Sequence, residues 1–472
     1  MDFNTSKSES YAARVESYAG FGNGLAATQD LKEGDVIIRV NNPFLILVEK
    51  AALELVCSQC FYEKHGLKRC SGCKVVWYCS ASCQSTAWKA SGHKLECPIY
   101  QRLPDVLPTE VRGLVNLLLC KEIGTKPDPK WASLEGHVAS LRKQKEWNNI
   151  VLQANAAIKY SGSVDTYIET VVELLCRMAT NAFRVTLPDS TETGLCFEPL
   201  VSLANHSCDP NAIVMFDGRK MFLRALKFID EGDQIFISYV DTTSPRDVRQ
   251  AEIQASYFFT CKCERCTNNS GFAPVVNSKP SPRLDLLLDR GNSIAQYPDP
   301  KETKVRNALS HYRSKDDPSP TLVVLLYILL TSPYVQPHHP VRVSTLYQIY
   351  RQICILATHP EGDEKLLAGA EHVPKKLLMD IDYISASQCI LILLIELAPK
   401  SHGANSQFLR NLSRDLSAIV ELQEPRGEVG EKLQEWAMDA SAEGKMYSNH
   451  IFAQFRELAA YAFKLIEDVS GV

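Results

Sequence analysis

The chain has 472 residues, a mass of 52.7 kDa and a hydrophobic fraction of 45%, which is enough apolar sequence for about three packed domains. Its formal net charge of −4 argues against a surface dominated by nucleic-acid binding. The N-terminal residues lack the basic-then-apolar order of a signal peptide, and the apolar runs are shorter than the ~20 residues of a membrane span. We therefore expect a soluble, intracellular protein whose 16 cysteines serve metal or redox chemistry and not disulfides.

Glycines mark three turns in the strand-rich parts of the chain. The tripeptide Glu-Gly-Asp at 33–35 and again at 231–233 precedes an apolar run, which predicts a tight turn before a strand in both places. The alternating glycines at 20, 22 and 24 do not follow a clear strand and open a helix, so they do not indicate a dinucleotide-binding fold. A surface turn is the plain alternative for that segment.

Residues 57–97 carry the densest metal signal in the chain. Seven thiols and one imidazole are enough for two four-coordinate zinc sites: Cys57, Cys60, Cys70, Cys73, Cys79, Cys83, His93 and Cys97. A two-residue gap lets both thiolates of a pair reach one ion, and a three-residue gap places two ligands on one face of a helix. Alternation of the pairs, first with third and second with fourth, is the usual arrangement, although spacing alone leaves it open. Since the segment has little apolar sequence, we expect structural zinc to supply much of its folding energy.

The middle of the chain is predicted to be helical and then strand-rich. Apolar residues recur at helical spacing between about 99 and 182, whereas 183–187 reads as a strand. The run 205–211 (Asn-His-Ser-Cys-Asp-Pro-Asn) sits between two apolar stretches. Three later cysteines, Cys261, Cys263 and Cys266, need a fourth ligand, and Cys208 is the best candidate. The remaining thiols are expected to be inert and buried: Cys120, Cys176, Cys196, Cys354 and Cys389.

Beyond about residue 271 the composition changes. Several prolines mark a linker, and helical patterns then continue to the end of the chain. Long helices joined by short loops predict an α-solenoid or a helical bundle, although no 34-residue repeat is present.

The order of the eight ligands at 57–97 resembles the MYND zinc finger, as do Trp77, Tyr78 and Trp88 around them. MYND fingers are mostly protein-binding modules, and some recognise proline-rich peptides. The chain as a whole resembles the SMYD family, in which a SET lysine methyltransferase domain is split by a MYND finger and followed by a helical domain. The segments that carry this resemblance are the finger, the Gly-Asn-Gly at 22–24, the run 205–211, the strand predicted from the second Glu-Gly-Asp turn to Tyr239 and the last three cysteines, Cys261, Cys263 and Cys266.

The resemblance implies an α+β fold: a β-rich SET domain with an inserted MYND zinc finger and a helical insert, a post-SET zinc site, and a C-terminal all-α, TPR-like or solenoid domain. The implied boundaries are 1–56 for the N-terminal part of the SET domain, 57–97 for the finger, 98–180 for the helical insert, 181–247 for the core SET domain, 248–272 for the post-SET segment and 273–472 for the helical domain.

The resemblance also implies S-adenosylmethionine as the cofactor, together with three structural zinc ions. The cofactor would be surrounded by Phe21, Gly22, Asn23, His137, Asn181, Asn205, His206, Tyr239, Tyr257 and Phe259. Tyr239 would be the catalytic tyrosine, and Phe183, Tyr239 and Tyr257 would wall the lysine channel. The zinc ligands would be Cys57, Cys60, Cys79 and Cys83 for the first ion, Cys70, Cys73, His93 and Cys97 for the second, and Cys208, Cys261, Cys263 and Cys266 for the third. Phe21 departs from the family pattern, because that position is often basic, and the departure weakens one electrostatic contact to the cofactor.

The sequence is compatible with three functions. The first is a protein-lysine N-methyltransferase that acts on histone or non-histone lysines, as a monomer in the nucleus, the cytoplasm or both. The second is a catalytically weak MYND-type adaptor or transcriptional co-regulator that binds proline-rich partners. The third is a DNA reader, which the negative charge and the lack of a recognition helix disfavour.

Overall fold

A computed structural model describes residues 11–120, 129–163, 165–269, 281–289, 302–315, 318–332, 336–358 and 373–470. Cys120 and the linker prolines Pro274 and Pro280 lie outside the described side chains. The chain divides into two compact units, 1–271 and 272–472, each with its own apolar core. The cysteine-rich finger and the run 205–211 both belong to the first unit.

The strands all lie in the first unit, within the described residues. They are β1 (Ala13–Tyr18), β2 (Gly22–Ala27), β3 (Val36–Val40), β4 (Leu45–Val48), β5 (Lys68–Arg69), β6 (Trp77–Tyr78), β7 (Phe183–Thr186), β8 (Glu192–Phe197), β9 (Asn205–His206), β10 (Ala212–Asp217), β11 (Lys220–Ala225) and β12 (Gln234–Ile237). They form four small sheets, in the orders β1-β2-β12-β9, β10-β11-β3, β4-β8-β7 and β5-β6. The first sheet positions the site described below, because it joins the glycine-rich N-terminal strand to the run 205–211.

Helices separate these strands and close the first unit. They are α1 (Ala81–Ala90), α2 (His93–Tyr100), α3 (Thr109–Cys120), α4 (Pro129–Ala132), α5 (Val138–Leu141), α6 (Trp147–Ser161), α7 (Ile168–Asn181), α8 (Arg246–Tyr257) and α9 (Glu264–Thr267). Helix α7 follows its sequence pattern closely, since its buried residues recur every three or four positions and face the core. It ends at Asn181, directly before strand β7.

The two Glu-Gly-Asp turns form as predicted. Gly34 and Gly232 both adopt φ of +90°, a left-handed conformation that glycine reaches without the clash a Cβ would cause. In the first turn the backbone N–H of Lys32 donates to Asp35 Oδ2 at 2.8 Å, which is the local capping expected of aspartate. Strands β3 and β12 start directly after these turns.

Two local expectations differ from the structure. The glycine segment is not only a surface turn, because Gly22 and Gly24 lie in strand β2, which pairs with β1 and β12. Strand β12 ends at Ile237 and does not reach Tyr239. The reason is a hydrogen bond, since the backbone N–H of Tyr239 donates to the ring nitrogen Nδ1 of His206 instead of to a neighbouring strand.

The second unit is entirely helical in its described residues. Its helices are α10 (Pro282–Leu288), α11 (Glu302–Ser314), α12 (Pro318–Leu330), α13 (Pro340–Thr358), α14 (Lys375–Met379), α15 (Tyr383–Ala398), α16 (Gln407–Gln423), α17 (Glu428–Met438), α18 (Gly444–Ala459) and α19 (Ala462–Ser470). Successive long helices pack in chain order from α11 to α16, and α18 and α19 return to α12 and α11. The segment Tyr383–Gly403 is apolar and long enough to cross a membrane, but 72% of its most apolar window is buried among the other helices, as in a core helix.

Candidate functional site

Twelve ligand residues gather into three groups of four, and within each group the ligand atoms all lie within 4.8 Å of one another. The first cluster is Cys57, Cys60, Cys79 and Cys83; the second is Cys70, Cys73, His93 and Cys97; the third is Cys208, Cys261, Cys263 and Cys266. These are the sets expected from the sequence, including the alternation of pairs in the finger and Cys208 as the partner of the three late cysteines.

The geometry within the clusters fits four-coordinate zinc. The Sγ atoms lie 3.5 Å apart between Cys79 and Cys83, and 3.9 Å apart between Cys70 and Cys97. Tetrahedral zinc with bonds of about 2.3 Å places its sulfur ligands about 3.8 Å apart, whereas a disulfide requires about 2.0 Å. All four positions of each cluster are filled by protein atoms, which is typical of structural zinc.

A buried relay supports the second cluster, and its outer members were not expected from the sequence. The Nε2 atom of His93 faces Cys70 Sγ at 3.3 Å, and Nδ1 on the other side of the ring lies 3.7 Å from Glu96 Oε2. Glu96 in turn accepts a hydrogen bond of 2.8 Å from Asn116 on α3. Such carboxylate–histidine pairs orient a metal ligand. Only the i, i+3 spacing of His93 and Glu96 on a helix hinted at this partner.

The run 205–211 lies against the glycine-rich strand β2. Strand β9 pairs in parallel with β12, and the side-chain amide of Asn205 donates to the carbonyl oxygen of Asn23 at 3.2 Å. A Cβ on Gly24 would lie 2.7 Å from Asn205 Nδ2, so only glycine permits this approach. Asn211 was missed by the sequence analysis, yet its side chain donates to Gln234 O and accepts from the N–H of Phe236, and so closes the turn.

His206 joins this turn to both Tyr239 and the third cluster. Its Nδ1 accepts the backbone N–H of Tyr239 at 3.0 Å, and its Nε2 lies 3.3 Å from Cys208 Sγ. Because Nδ1 is an acceptor, the ring proton belongs on Nε2, where it faces the thiolate. The ring is buried and is flanked by the rings of Tyr239 and Phe259 at 5.2 and 6.1 Å.

Tyr239 lies in the wall of a cavity of about 500 Å³ whose lining includes Asn181, Phe183, Ser202, Ser238 and Tyr257. Its hydroxyl donates to the carbonyl oxygen of Ala204 at 2.9 Å, and its ring lies 4.7 Å from that of Tyr257. Burial, with a smaller contribution from Tyr257, raises the pKa of Tyr239 well above its usual value. Burial also raises the pKa of Tyr257. Both phenols are therefore neutral near pH 7.

Asn181 and His137 come from the helical insert and reach the same region. The side-chain amide of Asn181 donates to the backbone carbonyl oxygens of Glu135 and Arg177, and the backbone carbonyl oxygen of Asn181 accepts from the Ser202 hydroxyl. His137 is not an ordinary helix residue, because it has a left-handed φ of 50° just before α5. Its ring lies 5.2 Å from Phe258, which the sequence analysis did not single out.

The charge state of His137 follows from its surroundings. Burial lowers the pKa of His137, and the nearby carboxylate of Glu135 offsets only part of that effect. The ring is therefore a neutral hydrogen-bonding group at pH 7 and not a cation.

The glycine and aromatic members of the predicted site lie at the surface of this region. Gly20 and Gly22 have φ of +80° and +74°, and an added Cβ at either would meet nothing within 4 Å. Phe21 between them is 55% exposed and contacts Phe236 edge-on. Phe259 is 37% exposed. Exposed glycine backbone therefore lies beside the exposed ring of Phe21.

Comparison with known proteins places this site in a family. A SET domain model matches residues 22–240. The chain is 34% identical over 267 residues to "SET domain and MYND-type zinc finger protein 6" of Schizosaccharomyces pombe, covering 56% of this chain and 54% of that protein. It is 30% identical over 282 residues to "Histone-lysine N-methyltransferase SMYD3" of Mus musculus, covering 56% of this chain and 64% of that protein.

The match to "N-lysine methyltransferase SMYD2" of Sus scrofa is longer, with 31% identity over 434 residues. It covers 84% of this chain and 96% of that protein, whereas the two preceding matches span 54% and 64% of their relatives. Because it covers 84% of the chain, the longer match runs through both compact units. The chain therefore belongs to the SMYD family of SET-domain proteins with a MYND zinc finger.

Proposed function

We propose that this protein is an S-adenosylmethionine-dependent protein-lysine N-methyltransferase whose substrates are histone or non-histone lysines. The observation that carries the proposal is a cavity walled by Phe183, Tyr239 and Tyr257 that adjoins strand β9, since the backbone of Tyr239 is bound to His206. We call this cavity the lysine channel. Its aromatic walls and its neutral tyrosine are what transfer of a methyl group to an amine requires.

The residues beside the channel fit the cofactor. The approach of Asn205 to Gly24 and the open space over Gly20 and Gly22 leave backbone groups accessible for a ligand. The residues that would hold it are Phe21, Gly22, Asn23, His137, Asn181, Asn205, His206, Tyr239, Tyr257 and Phe259. When bound, S-adenosylmethionine supplies an electrophilic methyl group on a sulfonium. The exposed ring of Phe259 suits stacking with the adenine, and neutral His137 suits a hydrogen bond to the cofactor carboxylate.

The chain's own residues prepare the amine. Aromatic walls remove water from the lysine ammonium, which lowers its pKa and favours the neutral nucleophile. They also attract a methylated ammonium by cation–π interaction. Because the Tyr239 proton is held by the carbonyl of Ala204, the phenolic oxygen presents lone pairs that can accept an N–H of the amine. Alignment is then the main contribution of the protein, since transfer to an amine needs no covalent intermediate.

The raised pKa of Tyr239 supports an orienting role for its hydroxyl over a role as general base. A general base would have to be a phenolate, and a phenol whose pKa lies well above the usual value is not ionised at pH 7. Tyr239 therefore orients the amine, and the amine loses its proton to water before the transfer.

Partners and location extend this proposal. The finger exposes Trp88 (41%) and Leu95 (48%) on α1 and α2, and an exposed aromatic residue beside a leucine suits a proline-rich peptide. We propose such partners for the finger, a monomeric state, and residence in the nucleus, the cytoplasm or both. Nucleic acid is not proposed as a primary ligand, because the net charge is −4.

The test has two stages. Calorimetric titration of the zinc-loaded protein with S-adenosylhomocysteine should show one site per chain, weakened in Asn205→Ala and unchanged in Asn149→Ala, which alters an exposed asparagine. Lysine peptides on an array, read by mass spectrometry, should then gain methyl groups only with S-adenosylmethionine. If the protein does not bind S-adenosylhomocysteine but its finger still binds a proline-rich peptide, the adaptor function is favoured instead.

A further inference from the structure

Arg249 is a buried cation without an acidic partner. It lies on α8 and is only 3% exposed, whereas its helix neighbour Arg246 is exposed. Among the described residues, no carboxylate lies within the 4.0 Å of an ion pair with Arg249. A buried guanidinium without a compensating charge is costly, so its counter-charge must come from other atoms.

The third cluster supplies that charge. Arg249 Nη2 donates to Cys266 Sγ at 3.7 Å, and Nη1 donates to the carbonyl oxygen of Ser244. Four thiolates around one zinc ion carry a net charge of −2, in a region where Cys208, Cys261 and Cys266 are all buried. The guanidinium is thus placed to neutralise part of the charge of the loaded cluster.

The same helix connects this cation to the lysine channel. Arg249, Ile253 and Tyr257 are spaced by four residues, so they lie along one face of α8. Ile253 is fully buried among the cysteines of the third cluster, and Tyr257 contacts Tyr239 in the channel wall. Gln250 also binds α8 to the third cluster, because its side chain donates to the carbonyl oxygen of Cys261 at 2.8 Å and accepts from its backbone N–H at 3.0 Å.

We propose that Arg249 is the counter-ion of the third zinc cluster and that, through α8, it is the positioning residue for Tyr257 in the lysine channel. The second half of this statement rests on the proposed function, and the first half does not. Arg265 has a different task, since its guanidinium donates to the carbonyl oxygens of Cys208 and Thr242 and so secures the turn that carries the fourth ligand.

The experiment separates the effect of the Arg249 charge from that of its apolar stem, in the full-length, zinc-loaded protein. Arg249→Met removes the charge and keeps much of the apolar stem, Arg249→Lys keeps the charge, and Arg246→Gln is the matched surface control on the same helix. Release of zinc to a chromogenic chelator is followed in time, and the phase that belongs to the third ion is identified as the one missing in Cys208→Ser. Hydrogen exchange of the segment 246–260 is measured by mass spectrometry on the same samples.

Arg249→Met is expected to release the third zinc about 10- to 100-fold faster, with faster exchange around Tyr257, because changes to groups behind metal ligands typically have effects of that size. Arg249→Lys should release the third zinc at close to the parental rate, and Arg246→Gln should match the parent in both zinc release and hydrogen exchange. The counter-ion role would be overturned if Arg249→Met released the third zinc at the parental rate. It would also be overturned if Arg249→Met and Arg249→Lys released this zinc equally faster than the parent.

Two further outcomes are decisive. If Arg249→Met does not fold, Arg249→Lys alone decides between the outcomes. Release of the third zinc at the parental rate in Arg249→Lys supports the requirement for charge, and release that is tenfold faster refutes it. The variants could show the expected rates of zinc release while the protein neither binds S-adenosylhomocysteine nor methylates peptides. This result would support the counter-ion role and reject the proposed function, because zinc release does not depend on turnover.

Discussion

At the scale of single residues, Tyr239 is held at both of its ends. Its backbone N–H is bound to His206 Nδ1 and its hydroxyl to the carbonyl of Ala204. The sequence predicted a role for this tyrosine but placed it at the end of a strand. The two hydrogen bonds show why it lies beyond the strand, and they fix the direction in which its oxygen can accept.

The first prediction concerns that oxygen. Tyr239→Phe keeps the ring and removes the acceptor, so turnover should fall by about 100-fold through misalignment of the amine. Affinity for S-adenosylhomocysteine should stay within about twofold, and stability should fall by about 1 kcal/mol from the lost bond to Ala204. Steady-state methylation, calorimetry and denaturant unfolding measure the three effects. Unchanged turnover would remove Tyr239 from its role.

The second prediction follows from the direction of the pKa shift. Because burial raises the pKa of Tyr239, the phenol stays protonated from pH 7 to 10. Turnover should therefore rise over this range only as the substrate amine loses its proton, with the same profile shape in the parent and in Tyr239→Phe. A step in the pH profile of turnover below pH 10 that is present in the parent and absent in Tyr239→Phe would contradict a neutral Tyr239.

At the scale of elements, the turn after β9 ties the cofactor region to the third cluster. Asn205 contacts β2, His206 contacts Tyr239, and Cys208 joins the three late cysteines, all within four residues. The spacing of the cysteines predicted this connection. The closing of the turn by Asn211 was not predicted, because nothing in a lone asparagine indicates which backbone groups it will satisfy.

The third prediction tests this connection. Cys208→Ser should reduce the zinc content from three to two ions per chain and weaken S-adenosylhomocysteine binding, since Phe259 follows the helix that the cluster anchors. Metal analysis and calorimetry provide the readouts. Cys196→Ala, which changes a buried thiol outside the clusters, should keep all three ions. Three ions in Cys208→Ser would break the proposed connection.

The fourth prediction concerns the close approach of β2 to β9. Gly24→Ala adds a Cβ 2.7 Å from the amide nitrogens of both Asn205 and Gln234, so these side chains must move. We expect a loss of about 1–3 kcal/mol in unfolding free energy and weaker binding of S-adenosylhomocysteine. Gly66→Ala, where an added Cβ meets nothing within 4 Å, should leave binding unchanged. Parental affinity in Gly24→Ala would show that Asn205 does not need this position.

At the scale of the whole molecule, both units have an apolar core, and the described metal-ligand clusters lie in the first unit. The three ligand clusters belong to residues 1–271, and the described residues of 272–472 form packed helices around an apolar core. Because the finger has little apolar sequence of its own, we expect its folding to depend on zinc.

The fifth prediction uses this division. A strong chelator should lower the thermal transition of the first unit and leave that of the second unchanged, because only the first loses ligands on metal removal. Scanning calorimetry detects the transitions, and segment-resolved hydrogen exchange assigns them to 1–271 or 272–472. An equal shift of both transitions would show that the two units do not unfold separately.

The sequence by itself determined the helical second half and both Glu-Gly-Asp turns, because spacing and backbone chemistry act within a few residues. The three groups of four ligand residues followed from cysteine spacing taken together with the family resemblance. Only the tertiary structure decided the contact of Asn205 with Asn23, 182 positions away, and the burial of Arg249 against Cys266. Likewise, the meeting of Phe183, Tyr239 and Tyr257 in one cavity depends on β7, on the end of β12 and on α8. Such contacts arise from the packing of distant elements, and no local pattern in the chain encodes which elements will meet.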